Sequence, residues 1–401
     1  MIAHGVESMT NEQARPGEID GNLIRDAAVS APVKWKGHVP ALDGVRGLAI
    51  VMVLGVHFIG DVPPQGRLES AVAQLMSYGA MGVDLFFVLS GFLITGILYD
   101  SRHKPAYFRN FYARRILRIF PLYYAVLLVG LVVVPFFFDV PRLDVAVRQQ
   151  AWLWAYSANI YLASTGSWEA LPVFNHFWSL AIEEHFYFVW PLVVYYCGRN
   201  HLKRVAVLFA LAAMSIRVAM VAAGVNEIAV YSLTPGRLDA LALGGLTAIL
   251  IREPEGLGSL VRLAPRVLIS SGAVIVVSFL ATRHWPEWRA MLHEVRQTAF
   301  ATCFCSLLIY ALTGPRFVQC FFQSRTMVFF GKYSYGLYVF HFLFGYYLLY
   351  YHTVDIVTGW VGSHTLAILL QAFLATLAAC LISFASYHLF EKHFLKLKAR
   401  F

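Results

Sequence analysis

Residues 79–99 read GAMGVDLFFVLSGFLITGILY, twenty-one residues with one charged side chain, Asp84. As an α-helix such a run spans the ~30 Å hydrocarbon layer of a bilayer. A lone carboxylate inside it costs a few kcal/mol there unless it has a partner or a task. The surrounding composition agrees, with 59% hydrophobic and 14% charged residues among 401, against roughly 45–50% and about 25% in soluble domains. A soluble globular enzyme is excluded.

Comparable apolar segments fall near 42–60, 119–138, 176–196, 203–223, 238–251, 266–282, 298–313, 328–351 and 365–388. With 79–99 they predict an all-α, polytopic membrane protein of about ten transmembrane helices. The aromatic stretch Trp152–Tyr156 is a candidate eleventh, interfacial segment. No polar stretch separates two cores, so one membrane domain is expected over 39–391. Residues 1–38 read as a flexible cytosolic tail and 392–401 as a basic cytosolic tail. Five cysteines, all within or beside apolar runs, form neither a disulfide framework nor a zinc pattern.

Lys and Arg concentrate in cytoplasmic loops, which gives a second test of topology. With the amino-terminal tail inside, eighteen basic residues fall in inward loops: Arg102, Lys104, Arg109, Arg114, Arg115, Arg118, Arg199, Lys203, Arg204, Arg252, Arg262, Arg266, Arg316, Arg325, Lys392, Lys396, Lys398 and Arg400. Seven fall outward: Arg67, Arg142, Arg148, Arg237, Arg283, Arg289 and Arg296. Both termini are therefore expected in the cytosol. The net charge of +9 is spread over short loops, a topology signal and not a nucleic-acid patch.

Ionisable side chains within the apolar runs are the functional candidates. Arg46 sits at the cytoplasmic boundary of the first helix, and His57 follows eleven residues later, about three turns and about 16 Å deeper on the same face. Asp84, Glu183 and His341 fall about 19–23 Å from the same surface when counted along their own helices. Each has a structural explanation when taken alone, as does Glu184: an interhelical hydrogen bond satisfies a buried His or carboxylate. The shared depth is what points to chemistry, since a His flanked by carboxylates is arranged as a general base. Arg109, Arg114, Arg115 and Arg118 crowd the cytoplasmic end near Arg46, and guanidinium forks suit phosphate. Positive-inside anchoring is the competing explanation.

At these residues the chain resembles the membrane acyltransferase-3 family of O-acyltransferases. The resemblance rests on Leu42–Ile50 with His57, on Gly82–Ile94, on Arg114–Pro121, on Phe177–Tyr187, on Ser334–His341 and on Tyr387–Glu391, in order across 42–391. His185 stands where the family usually has Gln, and His393 follows Lys392 where Pro is common. The resemblance implies an integral membrane enzyme of the bacterial cytoplasmic (inner) membrane, without a metal. It would move an acyl group, usually acetyl, from cytosolic acyl-CoA to a sugar hydroxyl of a polysaccharide or glycosylated small molecule. His57 would be the base, oriented by Glu183 or Asp84, with an acyl-His57 intermediate as the other route. Arg46, Arg114, Arg115 and Arg118 would hold the CoA phosphates. Arg237, Asp239, Tyr335 and His341 would meet the acceptor. Some members carry a fused SGNH-type esterase-like domain; here transfer is expected from the membrane domain alone or with a separate partner. A transporter or flippase of a glycan or small anion remains the alternative, since it too places ionisable groups at the midplane.

Overall fold

The computed structural model describes residues 38–401, and the expected tail at 1–38 lies almost wholly outside them. Among the described residues every regular element is helical. Helix α1 (Pro40–Gly55) continues without a break into a π-helical turn at Val56–Gly60. An amphipathic helix α2 (Arg67–Ser77) with no buried residue leads into α3 (Met81–Ser101). Helix α4 (Tyr107–Leu128) runs on through a second π-turn to Phe137. Short helices between Leu143 and Phe177 then lead to α5 (Trp178–Tyr196) and α6 (Arg199–Ala222). The second half holds α7 (Thr234–Ile251), α8 (Gly256–His284), α9 (Arg289–Thr313), α10 (Arg325–Lys332), α11 (Ser334–Tyr350), α12 (His364–Ser386) and α13 (Lys392–Leu397).

Among the described residues, seven helical stretches are long and apolar enough to cross a bilayer: Pro40–Gly60, Arg67–Ser101, Tyr107–Phe137, Arg199–Ala222, Gly256–His284, Pro286–Thr313 and His364–Arg400. The count of ten therefore does not stand on length and apolarity alone. The three remaining segments are helical but compromised for identifiable reasons. Segment 176–196 carries Glu183, Glu184 and His185, and 238–251 is preceded and opened by Arg237 and Asp239. Segment 328–351 breaks at Tyr333 into α10 and α11. Helices α5, α7 and α11 pack largely inside the protein, so their polar side chains meet partners in place of hydrocarbon.

Helices α3 and α7 pack backbone against backbone. A Cβ added at Gly91 would lie 1.9 Å from the Leu241 carbonyl oxygen, and one at Gly244 would lie 1.9 Å from that of Val88. Only glycine permits this backbone approach, the small-residue packing that replaces hydrophobic drive between membrane helices. Trp190 Nε1 donates to Thr95 Oγ1 at 2.8 Å and locks α5 onto α3. Trp152–Tyr156 does not form a separate span. It folds against α4, with Tyr123 Oη donating to the Leu153 carbonyl at 2.7 Å and Trp154 stacked on Tyr124 at 5.7 Å.

Candidate functional site

The π-turn at the end of α1 holds His57. Such turns insert one residue into an α-helix and re-aim the side chains that follow. His57 Nδ1 lies 2.8 Å from Asp61 Oδ2, one turn on, and the imidazole is a quarter exposed. An Nδ1–H donated to the carboxylate leaves Nε2 as the free, basic nitrogen. The His57 ring lies 5.2 Å from that of His341 and 4.8 Å from Phe342. His341 is fully buried. Its Nδ1 bonds the carbonyls of Tyr338 and Leu337, at 2.7 and 3.1 Å, and its Nε2 has no hydrogen-bond partner among the described residues. A third ring, His176, sits 5.5 Å from His341, with Nε2 on the Val339 carbonyl at 3.3 Å and Nδ1 unpartnered. Among the described residues no group of three or more His, Cys, Asp or Glu is arranged to hold a metal ion.

The carboxylate beside His57 is thus Asp61, whereas the sequence pointed to Asp84 or Glu183. Equal depth did not mean contact, because those two residues sit on other faces of the bundle. Glu183 accepts from the Tyr187 hydroxyl, which also bonds Ser90, and it lines a cavity of about 200 Å³. The cavity walls also carry Arg46, Arg115, Arg118, Lys398, Glu184 and Tyr335. Tyr335 donates to the Ile119 carbonyl at 2.6 Å. The guanidinium of Arg115 lies over the Tyr187 ring at 5.6 Å. Of the four cations, Arg46 alone forms an ion pair among the described residues, with Asp43 at 2.6 Å. Arg114, on the same helix, is exposed and does not line the cavity.

Ser179 and Tyr338 also line the cavity, and their hydroxyls lie 2.5 Å apart. Tyr338 donates to the His176 carbonyl at 2.9 Å, and its ring is 5.5 Å from that of His341. One hydroxyl pair therefore stands between the arginine-lined cavity and the three histidines.

Asp84 belongs to a different cluster. Its Oδ1 accepts from Arg237 Nη2 at 2.8 Å, and Arg237 also donates to Gln297 Oε1 at 2.5 Å. Arg217 pairs with Asp239 and Glu294, each at 2.9 Å, and Thr298 Oγ1 donates to Asp239 at 2.6 Å. Arg237 and Arg217 are fully buried and Asp239 nearly so. Arg237 lies over the rings of Tyr231, Trp178 and Phe87 at 4.8 to 5.8 Å. Arg237 and Asp239, expected to meet a sugar from outside, lie inside the bundle, where Arg237 pairs with Asp84 and Gln297 and Asp239 with Arg217 and Thr298. Arg237, with the largely buried Arg296, also leaves the outward-loop charge tally.

Three functional candidates were not anticipated. His176 stands one residue before the Phe177–Tyr187 motif, and a His at the start of an apolar run was its signal. Asp61 is at i+4 from His57, the helical spacing for a side-chain pair. Lys398 had no local signal, because only the folding of α13 brings it to the cavity.

A family model described as an acyltransferase domain matches residues 39–388. Among similar proteins, O-acetyltransferase OatA of Staphylococcus aureus is 29% identical over 329 residues, covering 76% of this chain and 50% of that protein. Peptidoglycan O-acetyltransferase OatA of Listeria monocytogenes is 29% identical over 325 residues, covering 76% and 49%. The chain spans about half the length of these curated relatives. No solved structure matches it.

Proposed function

Because this chain belongs to the acyltransferase family whose model spans most of its length, we propose that it is a multi-pass O-acetyltransferase of a bacterial cytoplasmic membrane, with acetyl-CoA as donor. A sugar hydroxyl of a cell-envelope polysaccharide is the acceptor, by analogy with the printed names of its relatives. The observation that carries the donor assignment is the cavity whose cations exceed their ion-pairing carboxylates. Arg46, Arg115 and Arg118 offer forks to the CoA phosphates, while the apolar Val83, Phe86, Leu89 and Leu93 line a path for the pantetheine arm.

His57 Nε2 takes the proton of the acceptor hydroxyl as its oxygen attacks the thioester carbonyl. The tetrahedral intermediate collapses with cleavage of the C–S bond, and the imidazolium returns the proton to the departing CoA sulfur. Asp61 holds the ring and stabilises its charged form. The buried His341 packs against the ring, with His176 behind it. An acetyl-His57 intermediate is the variant route. The thioester must pass the Ser179–Tyr338 pair, so that pair has to part during turnover. Family membership favours this reading over a transporter or flippase. With both termini in the cytosol, the donor enters from the cytosol and the acceptor from outside.

Proteoliposomes with acetyl-CoA sealed inside and a deacetylated glycan outside test this reading. Acetylated glycan is expected outside, and His57→Gln should lower the rate by about 10²–10⁴ with unchanged protein recovery. Transfer that requires both substrates on one face would contradict the through-membrane route, and a His57→Gln variant above a tenth of the normal rate would remove the base assignment.

A further inference from the structure

The segment after α12, expected as a basic tail, is ordered into the fold. A π-turn at Tyr387–Glu391 continues α12 into α13, which packs on α4 and is followed by a 3₁₀ turn at Lys398–Arg400. Glu391 is buried and accepts from Ser386 Oγ at 2.9 Å, which anchors the bend. The result is a single lysine, Lys398, carried into the wall of the cavity beside Arg46, Arg115 and Arg118. Lys392 and Lys396, on the same segment, do not line it.

Four like charges converging on one small space repel each other unless an anion joins them. Among the described residues Lys398 forms no ion pair, and the carboxylates that line the cavity, Glu183 and Glu184, form none with any of the four. Glu183 is bonded to Tyr187, and one Glu184 oxygen is buried without a hydrogen-bond partner among the described residues. A lysine from one segment and arginines from two others thus line one cavity.

Resting on the donor reading above, we propose that Lys398 is a fourth phosphate-binding cation of the cavity and sets its preference for nucleotide-bearing thioesters over phosphate-free ones. The α12–α13 bend is then a wall of the donor pocket. The lysine supplies a compact charge that can follow a phosphate on its flexible stem, where the arginines supply fixed forks.

The test compares acetyl-CoA with S-acetylpantetheine, which keeps the reactive arm and lacks every phosphate. In purified full-length protein, Lys398→Gln is expected to raise the KM for acetyl-CoA about tenfold, as for the loss of one charge-assisted contact. The KM for S-acetylpantetheine should stay within a factor of two, and Lys398→Arg should recover most of the acetyl-CoA affinity. Equal weakening toward both donors would mean that Lys398 only props the fold, and overturns the proposal. An unchanged acetyl-CoA KM in Lys398→Gln overturns it too; if Arg115→Ala/Arg118→Ala still weakens acetyl-CoA, the donor reading itself survives. If that double variant also leaves acetyl-CoA unaffected, the cavity is not the donor site and both fall.

Discussion

Two groups of arginines lie within the same bundle, and they are treated in opposite ways. Arg217 and Arg237 are sealed inside, each against a carboxylate at 2.8–2.9 Å, with Gln297 and Thr298 completing the network. Arg115 and Arg118 stand on a cavity wall with no ion pair of their own among the described residues. Charge satisfied from within is architecture: it fixes α3, α6, α7 and α9 to one another. Charge left facing a space is a demand for a ligand. The sequence does not separate the two groups, since both are arginines beside apolar runs.

The sealed group can be broken with the largest effect. Arg217→Met leaves Asp239 and Glu294 buried without their shared counter-ion and should cost about 3–5 kcal/mol, a large part of a typical total stability. The expected outcome is little folded protein in detergent, read by size-exclusion recovery and thermal unfolding. A variant that purifies normally would show that the network is not structural. A double-mutant cycle on Asp84 and Arg237 sharpens the same point. Asp84→Ala/Arg237→Met should be more stable than Asp84→Ala, because the second change removes the stranded charge.

Next in size is the packing that brings Asp84 to Arg237. Gly244→Ala drives a methyl against the Val88 carbonyl, and the overpacking should cost about 1–3 kcal/mol. Thermal unfolding in detergent measures it. Gly272, whose added Cβ meets nothing within 4 Å, is the matched control and should tolerate Ala.

What was legible in the sequence follows from the same contrast. Helices appeared wherever apolar length sufficed, and Arg46 and His57 do lie on one continuous helical element. Depth along separate helices was a weaker guide. It brought His341 to His57 but assigned Asp84 and Glu183 to the same ring, since depth says nothing about which way a helix face turns. Asp84 and Arg237 are separated by 153 positions, and no local pattern links them. Lys398 could be found only through the fold of the segment that bears it.

The contrast meets its most direct test in one protein, Arg115→Ala/Arg118→Ala, measured for both acetyl-CoA affinity and thermal unfolding. Cations that wait for a ligand should cost the fold less than about 0.5 kcal/mol when removed and weaken donor binding by at least tenfold. If the double variant instead binds acetyl-CoA normally and unfolds many degrees earlier, these arginines are structural like Arg217 and Arg237, and the cavity is not the place where the donor docks.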